Sequence, residues 1–98
     1  YIYFSTINLY QFLRESMEIT LFDLESGKEA TIKRFEGGEG FLKKLTSLNI
    51  RAGKVIRKIT VQPLHGPIVI EIGNTEAAIG MNMAKKIIVE PLEVEQNR

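Results

Sequence analysis

A period of two residues predicts the first long β-strand of the chain. In the stretch EATIKRFEG, Ala30, Ile32 and Arg34 fall on one face, and the residues between them fall on the other. Such alternation is typical of a strand with one buried face. Before it, ITLFDL is a short apolar piece that a turn signal, SGK, closes.

The same period returns twice further along the chain. KVIRKITVQ reads as a long strand with Val55, Ile59 and Val61 on one face, and Pro63 ends it. PIVIEIG follows the LHGP turn and places Ile68, Ile70 and Ile72 on one face. The two segments therefore predict a β-hairpin.

Between these strands the period changes to that of a helix. Phe41, Leu42, Leu45 and Leu48 fall on one side of a short helix, while the lysines, threonine and serine among them point to solvent. We expect the helix to end at Asn49, because asparagine tolerates the left-handed conformation that ends helices. The next residue, an isoleucine, can then fold back on the last turn.

The remaining elements are short. Gly73-Asn74 predicts a tight hairpin into TEAAIG, MNMAKK predicts a single helical or 3₁₀ turn, and IIVEPL predicts a last strand. Strands and helices do not alternate, so a parallel sheet is not expected. The pattern predicts a mainly β fold, a small and partly open antiparallel barrel of five strands with one short α-helix after the first barrel strand.

We expect one folded domain over residues 17–92. Residues 1–16 read as an appendage, of cloning origin or translated from an upstream start, because polar residues interrupt their apolar run. The alternative is an aromatic strand or helix that docks on the barrel or on a second copy. Residues 93–98 read as a polar tail.

Composition narrows the classes of function. The chain has 98 residues, 44% hydrophobic and 26% charged, with a net charge of +1 and no cysteine. Disulfide frameworks, thiolate metal sites and cysteine nucleophiles are therefore excluded. The charge balance argues against strong electrostatic capture of nucleic acid or of an anionic membrane.

The loop FEGGEGFLKK, residues 35–44, raises the question of phosphate binding. Its spacing matches neither the P-loop nor the dinucleotide-binding motif. Glu36 and Glu39 flank the glycines and would repel a phosphate. We therefore interpret the glycines as a sharp turn from a strand into a helix that packs closely on the sheet.

Other chemistry is sparse. His65, the single histidine, lies in a loop, and Glu71, Glu76 and Glu90 lie on or near strands without evident convergence. Since no nucleophile and base are paired, we predict that the protein is not an enzyme. Basic pairs occur at 43–44, 57–58 and 85–86, but aromatic residues are not interleaved with them as in barrels that stack bases.

Most of the chain resembles the FeoA family of ferrous-iron-transport accessory proteins. Residues 20–27, TLFDLESG, match its T-L-x-x-L-x-x-G opening, and residues 45–53, LTSLNIRAG, match its L-x-x-L-G-[IL]-x-x-G helix end. The GP-type hairpin turn and the ending with Ile87 and Val89 also match. Asn49 replaces the usual glycine, and both residues suit a left-handed position.

This resemblance implies an SH3-like barrel in the bacterial cytosol that binds and regulates FeoB, the membrane Fe(II) transporter. It carries over no catalytic residue and no metal ligand. We expect no required cofactor, no membrane insertion, no nucleic-acid partner, and a monomer or a weak homo-oligomer. The expected contact surface is the helix with its exit turn and the methionine turn, that is Phe41, Lys44, Leu45, Leu48, Arg51, Met81 and Met83.

Two alternatives stay open. The same barrel forms the C-terminal domain of DtxR-type metal-dependent repressors, where it can lend ligands to a metal. His65 or strand carboxylates such as Glu76 would then help to hold Fe(II), Mn(II) or Zn(II). The third hypothesis is a small barrel that binds RNA or single-stranded DNA.

Overall fold

The computed structural model describes residues 17–61 and 66–92 of the chain. These ranges contain six strands and two helices. The strands are β1 (Ile19–Thr20), β2 (Glu29–Phe35), β3 (Val55–Val61), β4 (Ile68–Ile72), β5 (Thr75–Ile79) and β6 (Ile87–Pro91). The helices are α1 (Glu39–Ser47), between β2 and β3, and α2 (Met81–Ala84), between β5 and β6.

All strand pairs are antiparallel and form one sheet in the order β1-β6-β2-β3-β4-β5. The last strand of the chain thus lies between β1 and β2. The predicted mainly β fold is confirmed, and so is the helix after the strand at Glu29–Phe35. The sheet has one strand more than we expected, because Ile19–Thr20 pairs with β6 over only two residues, too few to show a period.

Branched aliphatic side chains from every long strand fill the core. The predicted inward face of β4 is confirmed, since Ile68, Ile70 and Ile72 are all buried. Ala30 and Ile32 of β2 are buried as predicted, and Arg34 is exposed after a register shift in the β2–β6 ladder. The hydrophobic core therefore lies on one face of the sheet, which positions the outer face for contact with solvent.

The prediction for β3 was wrong about the buried face. Val55 and Ile59 are exposed, whereas Ile56 and Lys58 are buried. Ile56 faces Ala30 on β2 and Ile72 on β4, both buried, so the neighbouring strands determine its side. A register shift between Lys58 and Thr60 breaks the alternation, and the side chain of Val61 lies outside the described part.

The helix end of α1 forms a Schellman motif, as the asparagine predicted. Asn49 has φ of 64° and its N–H donates to the carbonyl of Thr46 at 2.9 Å. The N–H of Ile50 donates to the carbonyl of Leu45, also at 2.9 Å, and both of these side chains are buried. The motif satisfies carbonyls that the helix end leaves open and returns the chain to the core.

Some predictions lie outside the described residues. These are the appendage at 1–16, the loop with His65 and the tail at 93–98. Among the residues described, no helix is long and apolar enough to cross a membrane.

The left-handed turn at Asn49 gives a first prediction. Asn49→Ala should lower the free energy of unfolding by about 1 kcal/mol, because a Cβ-bearing residue without a polar side chain is strained at positive φ. Asn49→Gly should leave it almost unchanged. Urea denaturation measures both, and Asn82→Ala, at an exposed position in α2, is the control. Equal stability of wild type and Asn49→Ala would contradict the strain that we expect for an alanine at this positive φ.

Candidate partner-contact surface

The glycine loop before α1 makes room for an aromatic ring. A methyl group on Gly37 would overlap the side chain of Phe41, while Gly38 and Gly40 have open space around their Cα atoms. Gly38 is the extended residue that precedes α1, and Glu39 lies in the first helical turn, where a negative charge is favourable. The loop thus serves packing, as the sequence indicated.

Helix α1 has a buried side and an exposed side. Leu45 is fully buried, and Phe41 and Leu48 are half-buried against the core. Leu42 is 39% exposed, and Lys43 and Lys44 are also exposed. Leu45 was predicted to contact a partner, but its burial in the core leaves it no surface to offer.

Phe41 joins α1 to the segment that follows α2. Its ring meets the ring of Phe35 edge to face, with centroids 6.5 Å apart and an interplanar angle of 82°. The ammonium of Lys86 lies 5.6 Å from the Phe41 centroid, within the range of a cation–π contact. The result is a half-buried aromatic ring with a lysine ammonium over it.

The other predicted contact residues stand in the exit turn of α1 and on α2. Arg51 is exposed in the exit turn, and Met81 and Met83 are half-buried on α2. Met83 packs against the core, which leaves only part of its thioether for a partner. We use the term α1 surface for Phe41, the exposed residues Leu42, Lys43 and Lys44 that follow it in α1, and Lys86, which contacts the Phe41 ring.

The α1 surface is basic, because its lysines have no carboxylate partners among the described residues. The cations that form ion pairs in the described part of the chain are instead Lys33, Arg34 and Arg57. Lysines without partners beside an exposed leucine can contact an acidic and partly apolar partner. Charge attraction and apolar contact are therefore the main interactions that the α1 surface can make.

A buried lysine of β3 lies against the turn formed by residues 21–24. The Lys58 side chain is 2% exposed, and its ammonium donates to the carbonyls of Phe22 at 2.7 Å and Leu24 at 2.6 Å. The Phe22 ring lies 5.9 Å from it and also receives Lys85 at 4.9 Å. In the sequence, Lys58 stood out only as one member of the basic pair at 57–58.

One sequence signal could have located Lys58. It stands two residues after Ile56, so it shares the inward face if the isoleucine is taken as the core position. Burial lowers the pKa of the Lys58 ammonium below its ordinary value of 10.5, and the charge of Asp23 opposes that change. Its hydrogen bonds are structural, since they hold the turn at residues 21–24.

The weak metal candidates are not brought together in the described part. Glu76 is exposed on β5 opposite Glu71, and His65 lies outside the described residues. Those residues contain no group of three or more histidine, cysteine, aspartate or glutamate side chains able to hold a metal ion. A cleft of about 190 Å³ between Ile19 and Pro91 also has acidic residues in its lining, but it is smaller than usual small-molecule sites.

Comparison with known proteins identifies the family of this chain. The family model described as FeoA domain matches residues 19–91. The chain belongs to the FeoA family. A Methanocaldococcus jannaschii protein, provisionally named Fe(2+) transport protein A, is 33% identical over 69 residues, which are 70% of this chain and 82% of that protein. The resemblance seen in the sequence is thereby confirmed.

Solved structures agree with this assignment. The crystal structure of an iron uptake regulatory protein, FeoA, has a TM-score of 0.73 and 29% identity, over 78% of this chain and 100% of that one. A manganese-dependent transcriptional repressor has a TM-score of 0.71 and 21% identity, over 76% of this chain and 42% of the repressor. The second likeness shows the fold alone.

Removal of the buried ammonium gives a second prediction. Lys58→Met should lower the free energy of unfolding by about 2 kcal/mol, because the carbonyls of Phe22 and Leu24 lose their donor inside the protein. Lys54→Met removes an exposed lysine nearby and should change stability by less than about 0.5 kcal/mol. Chemical denaturation compares the two, and equal effects would contradict the role given to Lys58.

The lowered pKa gives a third prediction. The folded protein releases the Lys58 proton at a lower pH than the unfolded chain, so in the window up to 10.5 the unfolded chain binds more protons. The free energy of unfolding should therefore rise with pH across that window, relative to Lys58→Met, and stay constant below it. Denaturation of both proteins over an alkaline pH series measures the difference, and a difference that falls with pH would refute it.

Proposed function

We propose that this FeoA-family chain is a non-enzymatic accessory protein of ferrous iron uptake that binds and regulates a FeoB-type Fe(II) transporter. The observation that carries the proposal is the family match over residues 19–91. A curated relative that bears the name Fe(2+) transport protein A supports the iron-uptake context. The chain would act from the cytoplasmic side, on the cytosolic part of the transporter.

The α1 surface supplies the proposed contact. It combines the half-buried Phe41, the exposed Leu42 and three lysines without carboxylate partners in the described part of the chain. An apolar centre with a charged rim is the usual composition of a protein interface. We include Leu48, Arg51, Met81 and Met83 as residues at its margin.

Positive charge gives the surface a role in partner choice. Lysines that are not neutralised within their own protein attract an acidic patch and repel a basic one. Leu42 and the edge of Phe41 then provide the area that excludes water. Affinity should therefore fall as ionic strength rises.

A charge reversal tests the proposal and gives a fourth prediction. Lys44→Glu should weaken binding to the purified cytosolic part of a FeoB-type transporter about fivefold at low salt. Lys28→Glu makes the same change in net charge at the opposite end of β2 from the α1 surface and should bind like wild type. Biolayer interferometry with GTP, GDP and no nucleotide measures the affinities.

Two results would count against this function. One is the absence of binding by the wild-type chain in every nucleotide state. The other is an equal loss in Lys44→Glu and Lys28→Glu, since long-range attraction by net charge would then explain the data without the α1 surface. Circular dichroism on both variants controls for folding.

A further inference from the structure

The sheet ends in two edges of different kinds. At one end, β1 has only two residues, and short edge strands offer little for another chain to pair with. At the other end, β5 has five residues and is paired on one side, with β4. No strand of the described part pairs with its second side.

Hairpin geometry identifies the free backbone groups of β5. Gly73 and Asn74 form the two-residue loop, Gly73 has φ of 62°, and Ile72 faces Thr75 across the hairpin. The pair that closes a two-residue loop is hydrogen-bonded, and bonded pairs then alternate with non-bonded ones. Glu76 and Ala78 stand in the non-bonded positions, so their N–H and C=O groups point away from β4.

Apart from the charge of Glu76, this edge lacks the features by which proteins usually protect an edge strand. The sequence TEAAI contains no lysine and no proline, and the β4–β5 register is unbroken. The ladders between β2 and β6 and between β3 and β4 both contain register shifts. Glu76 and Ala78 are exposed, so an incoming strand can reach their backbone.

Side chains beside the edge define which strand fits. Four charged residues stand opposite one another across four strands, in the order Glu29, Arg57, Glu71 and Glu76. Arg57 pairs with Glu29 at 3.0 Å and Glu71 at 3.7 Å. The row has three carboxylates and one guanidinium, and Glu76 has no cation partner among the described residues.

The next row on the same face is apolar. Ala78 faces Val69, which is half-buried. A strand laid against β5 would therefore meet a carboxylate at one position and a small apolar surface two residues away. Opposite charges that face each other across strands attract, while a second acidic residue would add repulsion.

We propose that the free edge of β5 binds an extended segment of a partner protein, which carries a lysine or arginine opposite Glu76 and an apolar residue opposite Ala78. Backbone hydrogen bonds to Glu76 and Ala78 provide the attachment, and the acidic row selects the basic residue. The site is separate from the α1 surface and does not depend on the function proposed above.

A symmetric peptide tests the proposal in either strand direction. The probe is Val-Thr-Lys-Thr-Val with blocked ends, and its acidic counterpart is Val-Thr-Glu-Thr-Val. Titration of the isotope-labelled full chain should move the amide signals of Glu76 and Ala78 most. The lysine peptide should bind about fivefold more tightly than the glutamate peptide.

Two variants connect the binding to this edge. Ala78→Pro removes an outward N–H that β4 does not use, so the lysine peptide should no longer bind, whereas Ala78→Val keeps the N–H and should bind. If the proline variant fails to fold, Glu76→Lys serves instead and should reverse the preference between the two peptides.

Other outcomes would overturn the proposal. Equal affinity for both peptides, or signal changes confined to α1, would exclude selection by the acidic row. Hydrogen exchange of the free chain adds two more tests. Protection of Glu76 and Ala78 at every protein concentration would assign the edge to another segment of this chain, and protection that grows with concentration would assign it to a second copy.

Discussion

The packing of the turn that joins β1 to β2 depends on hydrogen bonds from the ammonium of Lys58. Residues 21–24 turn across the core and bury Leu21 and Leu24, which forces neighbouring carbonyls out of water. Among the described residues no backbone N–H donates to the carbonyls of Phe22 and Leu24, and Lys58 donates to both. A buried charge is costly, but it supplies two donors where an isoleucine would supply none.

Two groups among the remaining charges give the small domain distinct surfaces. On the outer face of the sheet, Arg57 forms ion pairs with Glu29 and Glu71, so its charge is largely neutralised within the molecule. Around α1, lysines point to solvent beside Leu42 and Phe41. A net charge of only +1 thus conceals a basic region and an acidic row, each suited to a different partner chemistry.

A barrel of this size can work without a catalytic pocket. The family match covers residues 19–91, and the two proposals made above rest on the exposed α1 surface and on the free edge of β5. Gly37 links the fold to the α1 surface, since only a residue without a Cβ leaves room for Phe41 to pack against Phe35.

Local chemistry in the sequence determined much of the fold. The isoleucines of β4, the left-handed Asn49 and the glycines before α1 each act over a few residues, so their outcomes could be predicted. Tertiary structure decided the rest. The buried face of β3 depends on Ala30 and Ile72 in its neighbours, and the role of Lys58 depends on carbonyls some 34 residues away in the chain. Strand register and bulges determine these features, and the spacing of apolar residues within one strand does not predict either of them.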